Sequence, residues 1–227
     1  ALTIKAFNLA EQLRTPVILL PDEAVAHMRE KLEIPKNIRI VERKKPGPFT
    51  SKENFKPFAV KRDDEVPVIP GFGEGFRFNV TGLMHDETGF PSNSAEVTAS
   101  LLLRLHKKVA AAYNDIKGME VEIPSGSRIA VLSYGASFYA ARQAAKQENA
   151  GTIKLTTLFP FPDKEIKALA EKLDAIIVVE MNLGQIKLEV ERAVGGKTKV
   201  IGVNIANGQL IPPELVREAI QTCQKKI

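Results

Sequence analysis

The chain has 227 residues, 44% of them hydrophobic, and its 32 basic and 27 acidic side chains leave a formal net charge of +5. That length allows one large domain or two small ones and buries roughly 70% of the surface of the unfolded chain, while a single cysteine, Cys223, excludes an internal disulfide and suits a reducing compartment. No run reaches the roughly 18–20 apolar residues of a membrane span, no signal-peptide pattern opens the chain, and the basic clusters Arg43-Lys44-Lys45 and Lys225-Lys226 are too small for a nucleic-acid face, so a soluble, cytoplasmic protein is expected.

Leu2, Ala6, Leu9 and Leu13 form one stripe of an amphipathic helix that stops before Thr15-Pro16. The apolar run Val17-Ile-Leu-Leu20 predicts a buried strand, and Asp22 is a candidate N-cap for a short helix from Glu23 to about Lys31. Residues 1–34 are therefore expected to be an α-β-α fragment whose strand has no neighbour in sequence to pair with. The chain opens inside a helical pattern without an initiator Met, which predicts that it begins part-way through a larger protein.

Residues 35–118 are predicted to be an extended linker followed by a long helix. Pro46, Pro48, Pro57, Pro67, Pro70 and Pro91 break every candidate helix between Pro35 and Asn93, and Phe76–Val80 is the best candidate for a short strand. So long a loop is expected to lie across another domain or subunit. Gly71-Phe-Gly-Glu-Gly75 is no dinucleotide fingerprint, because no strand leads in and no helix leads out.

The polar constellation of this stretch is Gly82-Leu-Met-His-Asp-Glu-Thr-Gly-Phe-Pro91, in which His85, Asp86 and Glu87 stand between glycines. Adjacent residues on an extended chain point in alternating directions, so convergence on one metal needs a tight turn. A structural turn, an interface loop, a loop facing an active site and, least favoured, a metal site remain open readings. His27 and His106 lie in helical runs and add no zinc spacing. Asn93 and Glu96 have capping-box spacing ahead of a helix through Val97, Leu101, Leu105, Val109 and Ala112, stopped near Gly118.

From Ser125 to Asn207 apolar runs alternate with helical ones. The predicted strands are Arg128–Ser133, Thr152–Leu158, Ala175–Val179 and Lys199–Ile205, which reads as an α/β domain over 119–227 with a mostly parallel, doubly wound sheet. Ser137 and Asp163 are candidate helix caps, and Cys223 sits on the apolar stripe of the last helix as a packing residue. Ligands in such sheets meet the carboxyl ends of the strands. Those ends offer Tyr134, Ser137, Glu180, Asn182, Asn204 and Asn207, with the Asn residues most simply read as turn formers and Glu180, closing an apolar strand, as a subunit contact.

These motifs together resemble the later part of the α subunit of 2-oxoacid:ferredoxin oxidoreductases, especially the 2-oxoglutarate type. Thr15-Pro-Val-Ile-Leu-Leu-Pro-Asp-Glu23 is similar to the end of that family's pyrimidine-type thiamine domain, and Gly82 to Pro91 resembles its His-Asp-Glu loop. Val131–Gly135, Leu158–Pro162 and Val178–Gln185 resemble the transketolase C-terminal-type domain. The resemblance implies oxidative decarboxylation of a 2-oxoacid on thiamine diphosphate, with electrons passed through iron-sulfur clusters to ferredoxin and the acyl group delivered to coenzyme A; the cofactor supplies the carbanion chemistry. It further implies that diphosphate and magnesium are held by a partner β subunit, that this chain binds no cofactor alone and is inactive alone, and that His85, Asp86 and Glu87 are the segment approaching a shared active site. A transketolase-like or 2-oxoacid dehydrogenase subunit, and a non-catalytic assembly module, are the alternatives.

Overall fold

The computed structural model describes residues 1–225. Lys226, half of the C-terminal basic pair, lies outside the described residues. In chain order the elements are α1 (Leu2–Leu13), α2 (Glu23–His27), α3 (Ala95–Ala111) and α4 (Tyr113–Ile116), then β1 (Met119–Glu122), β2 (Ile129–Ser133), α5 (Ser137–Gln147) and β3 (Gly151–Leu155). They continue with α6 (Asp163–Ala170), β4 (Ala175–Glu180), α7 (Gln185–Val194), β5 (Lys199–Asn204) and α8 (Pro213–Gln224). The chain divides into two compact units, one of residues 1–20 and 31–116, the other of residues 21–30 and 117–227.

In the first unit α1 buries Leu9 and Leu13 against Ile116, with Val66, Val109 and Ala112 packed around them. The proline-rich stretch is held on α1 by side chains instead of by a sheet ladder. Asn8 both donates to Arg39 O (2.9 Å) and accepts from Val41 N (3.0 Å), and Arg43 grips Glu11 with two bonds of 2.7 Å. Phe76–Val80 does not form the expected strand; Phe76 and Phe78 instead meet Phe55 edge to face at 5.0 and 5.6 Å. Val17–Leu20 is likewise no buried strand, and Ile18 and Leu20 are 79% and 73% exposed. An apolar run becomes a strand only where a neighbour supplies backbone donors and acceptors, and none of the described residues does so here.

The long helix starts one residue later than its capping spacing suggested. Ser94, not Asn93, is the N-cap and accepts from Val97 N at 3.4 Å. Its buried face also differs: Leu101, Arg104 and Lys108 point inward while Leu105 remains 37% exposed. Helical spacing makes 101, 104 and 108 one stripe, and two cations occupy it.

In the second unit the strand order is β1-β3-β2-β4-β5, with β1 antiparallel to β3 and every other pairing parallel. β2 and β4 lie centrally and are buried at every position, which is why both are apolar runs without alternation. On one face Val131, Ile177 and Val179 pack under α5 and α8 through Ala141, Ala144, Val216, Ile220 and Cys223. On the other, Leu132, Ile153, Ile176 and Val178 pack under α6 and α7 through Ile166, Ala170, Val190 and Val194. Burying each such Ile, Leu or Val contributes about 1.5–3 kcal/mol. The sheet is thus doubly wound as expected, with Cys223 a 3% exposed packing residue. The added edge strand, β1, was not anticipated: Met119 to Glu122 alternates over only four residues and is stabilised by its register on β3, Met119 facing Leu155 and Glu122 facing Thr152.

Three caps move. Asp22 does occupy the N-cap position of α2, which runs only to His27, but its side chain makes no capping bond there; its carboxylate accepts from Ala136 N at 2.6 Å, at the start of α5. Ser137 is the first residue inside α5 and donates to Tyr134 O at 2.8 Å. Asp163 opens α6 after Pro162 and takes Arg192 Nη2 at 2.5 Å.

Candidate functional site

The His85 loop is built by a closely knit turn. His85 and Pro91 form an isolated antiparallel bridge, Ser92 N reaches Met84 O at 2.9 Å, and Gly89 N reaches Asp86 O at 3.1 Å. Asp86 accepts at Oδ1 from Thr88 N (2.8 Å) and from the Thr88 hydroxyl. These bonds, the hydroxyl's first, hold its carboxyl below the usual Asp range. Gly89 has φ of +86°, and a Cβ there would lie 2.0 Å from Asn79 O; only glycine fits both the angle and the approach. Asp86 is therefore the residue that makes the turn.

Glu87 is also engaged. Its carboxylate takes the Lys56 ammonium, which raises that lysine, and its carbonyl accepts from Phe58 N at 3.1 Å. His85 differs. Nδ1 lies 2.8 Å from Leu83 O, so it must carry the proton, which leaves Nε2 as an acceptor in the neutral ring. Nε2 is buried and has no hydrogen-bond partner among the described residues. The His85 ring lies 4.1 Å from the Phe58 ring, and the Arg14 guanidinium stands 4.5 Å above that same phenyl. The turn thus presents one unused imidazole nitrogen, while the two carboxylates maintain its shape. Among the described residues no group of three His, Cys, Asp or Glu side chains could hold a metal ion.

At the carboxyl ends of the strands in the second unit, the prominent group is Glu180, 0% exposed. Its two oxygens accept from Ile186 N (3.0 Å) and Lys187 N (2.9 Å), the free amides of the first turn of α7, and Oε2 takes the Tyr134 hydroxyl at 3.2 Å. A fully buried carboxylate offers no surface to another subunit, so the reading of Glu180 as a subunit contact is replaced by one as an internal cap. A helix N-terminus carries partial positive charge and unpaired amides, which a carboxylate satisfies together. Burial first, and then the Glu180 charge, push the Tyr134 phenol up to about 12. Asn182 Nδ2 donates to that phenol at 2.7 Å while its Oδ1 accepts from Gly184 N at 2.8 Å, which makes it the expected turn former. Asn207 likewise accepts from Gln209 N at 3.1 Å.

A third group was missed by sequence reasoning. Arg104 and Lys108 are 9% and 3% exposed, one turn apart on the buried stripe of α3, and Arg14 lies within their field. Burial, then its cationic neighbours, bring the Lys108 ammonium down to about 8 and the Arg14 guanidinium down to about 10. The available signal was the spacing of Leu101, Arg104 and Lys108, overridden in sequence by the more apolar stripe beside it.

Two family models match the chain in order: one described as "Pyruvate flavodoxin/ferredoxin oxidoreductase, thiamine diP-bdg" over residues 1–102, and one described as "Pyruvate:ferredoxin oxidoreductase core domain II" over residues 128–216. Fold and matches together define an oxidoreductase subunit sequence with a doubly wound unit following an irregular one. The 2-oxoglutarate synthase subunit KorA of Methanothermobacter thermautotrophicus is 40% identical over 224 residues, covering 96% of this chain and 59% of that protein. The KorA subunit of Methanocaldococcus jannaschii is 39% identical over 223 residues, with the same coverage. A solved structure of the 2-oxoglutarate:ferredoxin oxidoreductase from Magnetococcus marinus, with 2-oxoglutarate, coenzyme A and succinyl-CoA bound, shares the fold at a TM-score of 0.77 and 24% identity, over 95% of this chain and 38% of that one. The chain belongs to the 2-oxoacid:ferredoxin oxidoreductase family, as an α-subunit sequence. It spans about 59% of the length of the KorA relatives.

Proposed function

We propose that the chain is part of the α subunit of an enzyme that oxidatively decarboxylates 2-oxoglutarate to succinyl-CoA, with ferredoxin as electron acceptor. The observation that carries this reading is the 40% identity to 2-oxoglutarate synthase subunits across 96% of the chain, joined to the two oxidoreductase domain models in sequence order. When bound in the complex, thiamine diphosphate supplies the carbanion chemistry. One cysteine in the sequence cannot supply the thiolate set of an iron-sulfur cluster, and in this proposal the cluster and the magnesium are held by a β subunit or other parts of the assembly. The doubly wound domain then serves docking, and residues 1–34 complete a thiamine-type domain.

Within this reading His85 is the member of its loop that approaches the shared active site, supported by the buried, unpartnered Nε2; Asp86 and Glu87 hold the loop. A second reading, in which the loop is purely structural, is favoured by the turn bonds of Asp86 and the ion pair of Glu87. The test is the complete α subunit co-expressed with its β partner, assayed for ferredoxin or viologen reduction dependent on 2-oxoglutarate and coenzyme A. His85→Ala should lower turnover at least tenfold with assembly intact, and full turnover in that variant would reject the catalytic reading of the loop. Absence of any 2-oxoacid-dependent reduction by the wild-type complex would reject the enzyme assignment.

A further inference from the structure

The turn between β5 and α8 holds a reactive pair of residues. Asn207-Gly208 is the only Asn-Gly pair in the sequence, and it lies in the exposed stretch 206–210 that leaves the carboxyl end of β5. Asn207 Oδ1 accepts from Gln209 N at 3.1 Å, which folds the side-chain amide back over the Gly208 peptide. The same bond stabilises negative charge on that oxygen, and so favours addition of a nucleophile at Cγ. The Gly208 N–H has no hydrogen-bond partner among the described residues. Gly208 also stands in open space: a Cβ there would meet nothing within 4 Å, and glycine puts no side chain in the path of its own nitrogen.

Other asparagines lack this combination. Ala150, which follows Asn149, is 5% exposed and its N–H donates to Ala145 O at 2.9 Å. Ile205, which follows Asn204, is β-branched and donates to Glu180 O at 3.4 Å. Asn182 precedes Leu183 and has both ends of its amide bonded, to the Tyr134 hydroxyl and to Gly184 N.

We propose that Asn207 is a site of spontaneous deamidation, with Gly208 N as the nucleophile and solvent water and hydroxide as the co-reactants. The Gly208 N–H gives its proton to hydroxide as the nitrogen bonds to Asn207 Cγ. The Cγ–Nδ2 bond then breaks, and Nδ2 takes up a proton and leaves as ammonia, closing a succinimide. Water adds to either ring carbonyl. Addition at Cγ restores the original main chain with an aspartate, and addition at the Asn207 main-chain carbon gives isoaspartate. No electron is gained or lost: one amide and one water become one carboxylate and one ammonium ion. Either product puts a negative charge beside the carboxyl end of β5, and isoaspartate adds a carbon to the main chain leading into α8. The site stands on residues of the second unit alone and does not depend on the oxidoreductase reading.

The test is prolonged incubation of the full chain in native buffer at pH 6 and pH 8, followed by ion-exchange separation and peptide mapping that distinguishes aspartate from isoaspartate. Both products are expected at position 207 before any other asparagine reacts. The acidic species should form at least about fivefold faster at pH 8, because the attacking amide must lose its proton. Asn207→Ser keeps an oxygen able to accept from Gln209 N and should remove the acidic species, and Gly208→Ala should slow its formation at least about tenfold. Gly208 has φ of +81°, so should Gly208→Ala not accumulate, the wild-type map and Asn207→Ser carry the test. An unmodified Asn207, or earlier reaction at another asparagine, overturns the proposal. Aspartate at 207 without isoaspartate would mean direct hydrolysis of the amide and would overturn the role of Gly208.

Discussion

Glu180→Gln is the substitution that best tests how the second unit is held together. The wild-type carboxylate satisfies two amides of α7 at 3.0 and 2.9 Å and also accepts from Tyr134. Hydrogen bonds to a charged group contribute about 1.5–3 kcal/mol each. Glutamine keeps one acceptor oxygen and turns an NH₂ toward the second amide, so one charge-assisted bond becomes neutral and the other becomes a donor facing a donor. Loss of the negative charge at the helix N-terminus adds about 0.3–1 kcal/mol, and relief of carboxylate desolvation opposes these losses. The geometric loss dominates because the position is 0% exposed and water cannot replace the missing acceptor. The net cost should be about 3 kcal/mol, or a fall of about 1.5 M in the urea midpoint at a slope near 2 kcal/mol/M. A cost below about 1 kcal/mol would refute the capping argument. Alkaline absorbance titration gives a second readout: one of the three tyrosines, Tyr134, should titrate near 12 in the wild type and lower in the variant, with burial still holding it above the ordinary tyrosine value.

Lys108→Met should alter the pH dependence of stability. Burial brings the folded ammonium down to about 8 from the ordinary lysine value of 10.5, so the unfolded state binds more protons between those values and wild-type stability rises with pH across that window. At pH 7 the charged form costs up to about 3 kcal/mol, the two lost hydrogen bonds, to Arg14 O and the Thr15 hydroxyl, cost about 1 kcal/mol each, and the variant should come out about 1 kcal/mol more stable. Urea midpoints at pH 7 and 10 check this, and an unchanged slope between them would count against the buried-charge account. Gly89→Ala places a methyl against Asn79 O at a positive φ and should cost more than about 2 kcal/mol, with reduction activity of the assembled complex falling alongside; a fully stable variant would show that the turn relaxes freely. Tyr134→Phe removes the phenol between Glu180 and Asn182 and should cost about 1 kcal/mol by urea denaturation, with the high-pH tyrosine titration abolished.

Sequence alone determined the doubly wound sheet, because β2 and β4 must be buried on both faces and therefore read as unbroken apolar runs, and because glycine and proline mark the turns between alternating periods. It also isolated the His85 loop, where three ligating residues stand between glycines. Tertiary structure decided how those groups are used. Asp86 is bonded within the loop and Glu87 to Lys56, while His85 Nε2 has no hydrogen-bond partner among the described residues. Glu180 and Asp22 serve helices that begin far along the chain or on another element, and such partners leave no periodic trace. The same limit applies to Val17–Leu20, whose apolar pattern expresses a strand that needs a neighbouring backbone, and to Arg104 and Lys108. Charged side chains read as surface in any local pattern, and their burial follows only from the loop that folds back over α1 and α3.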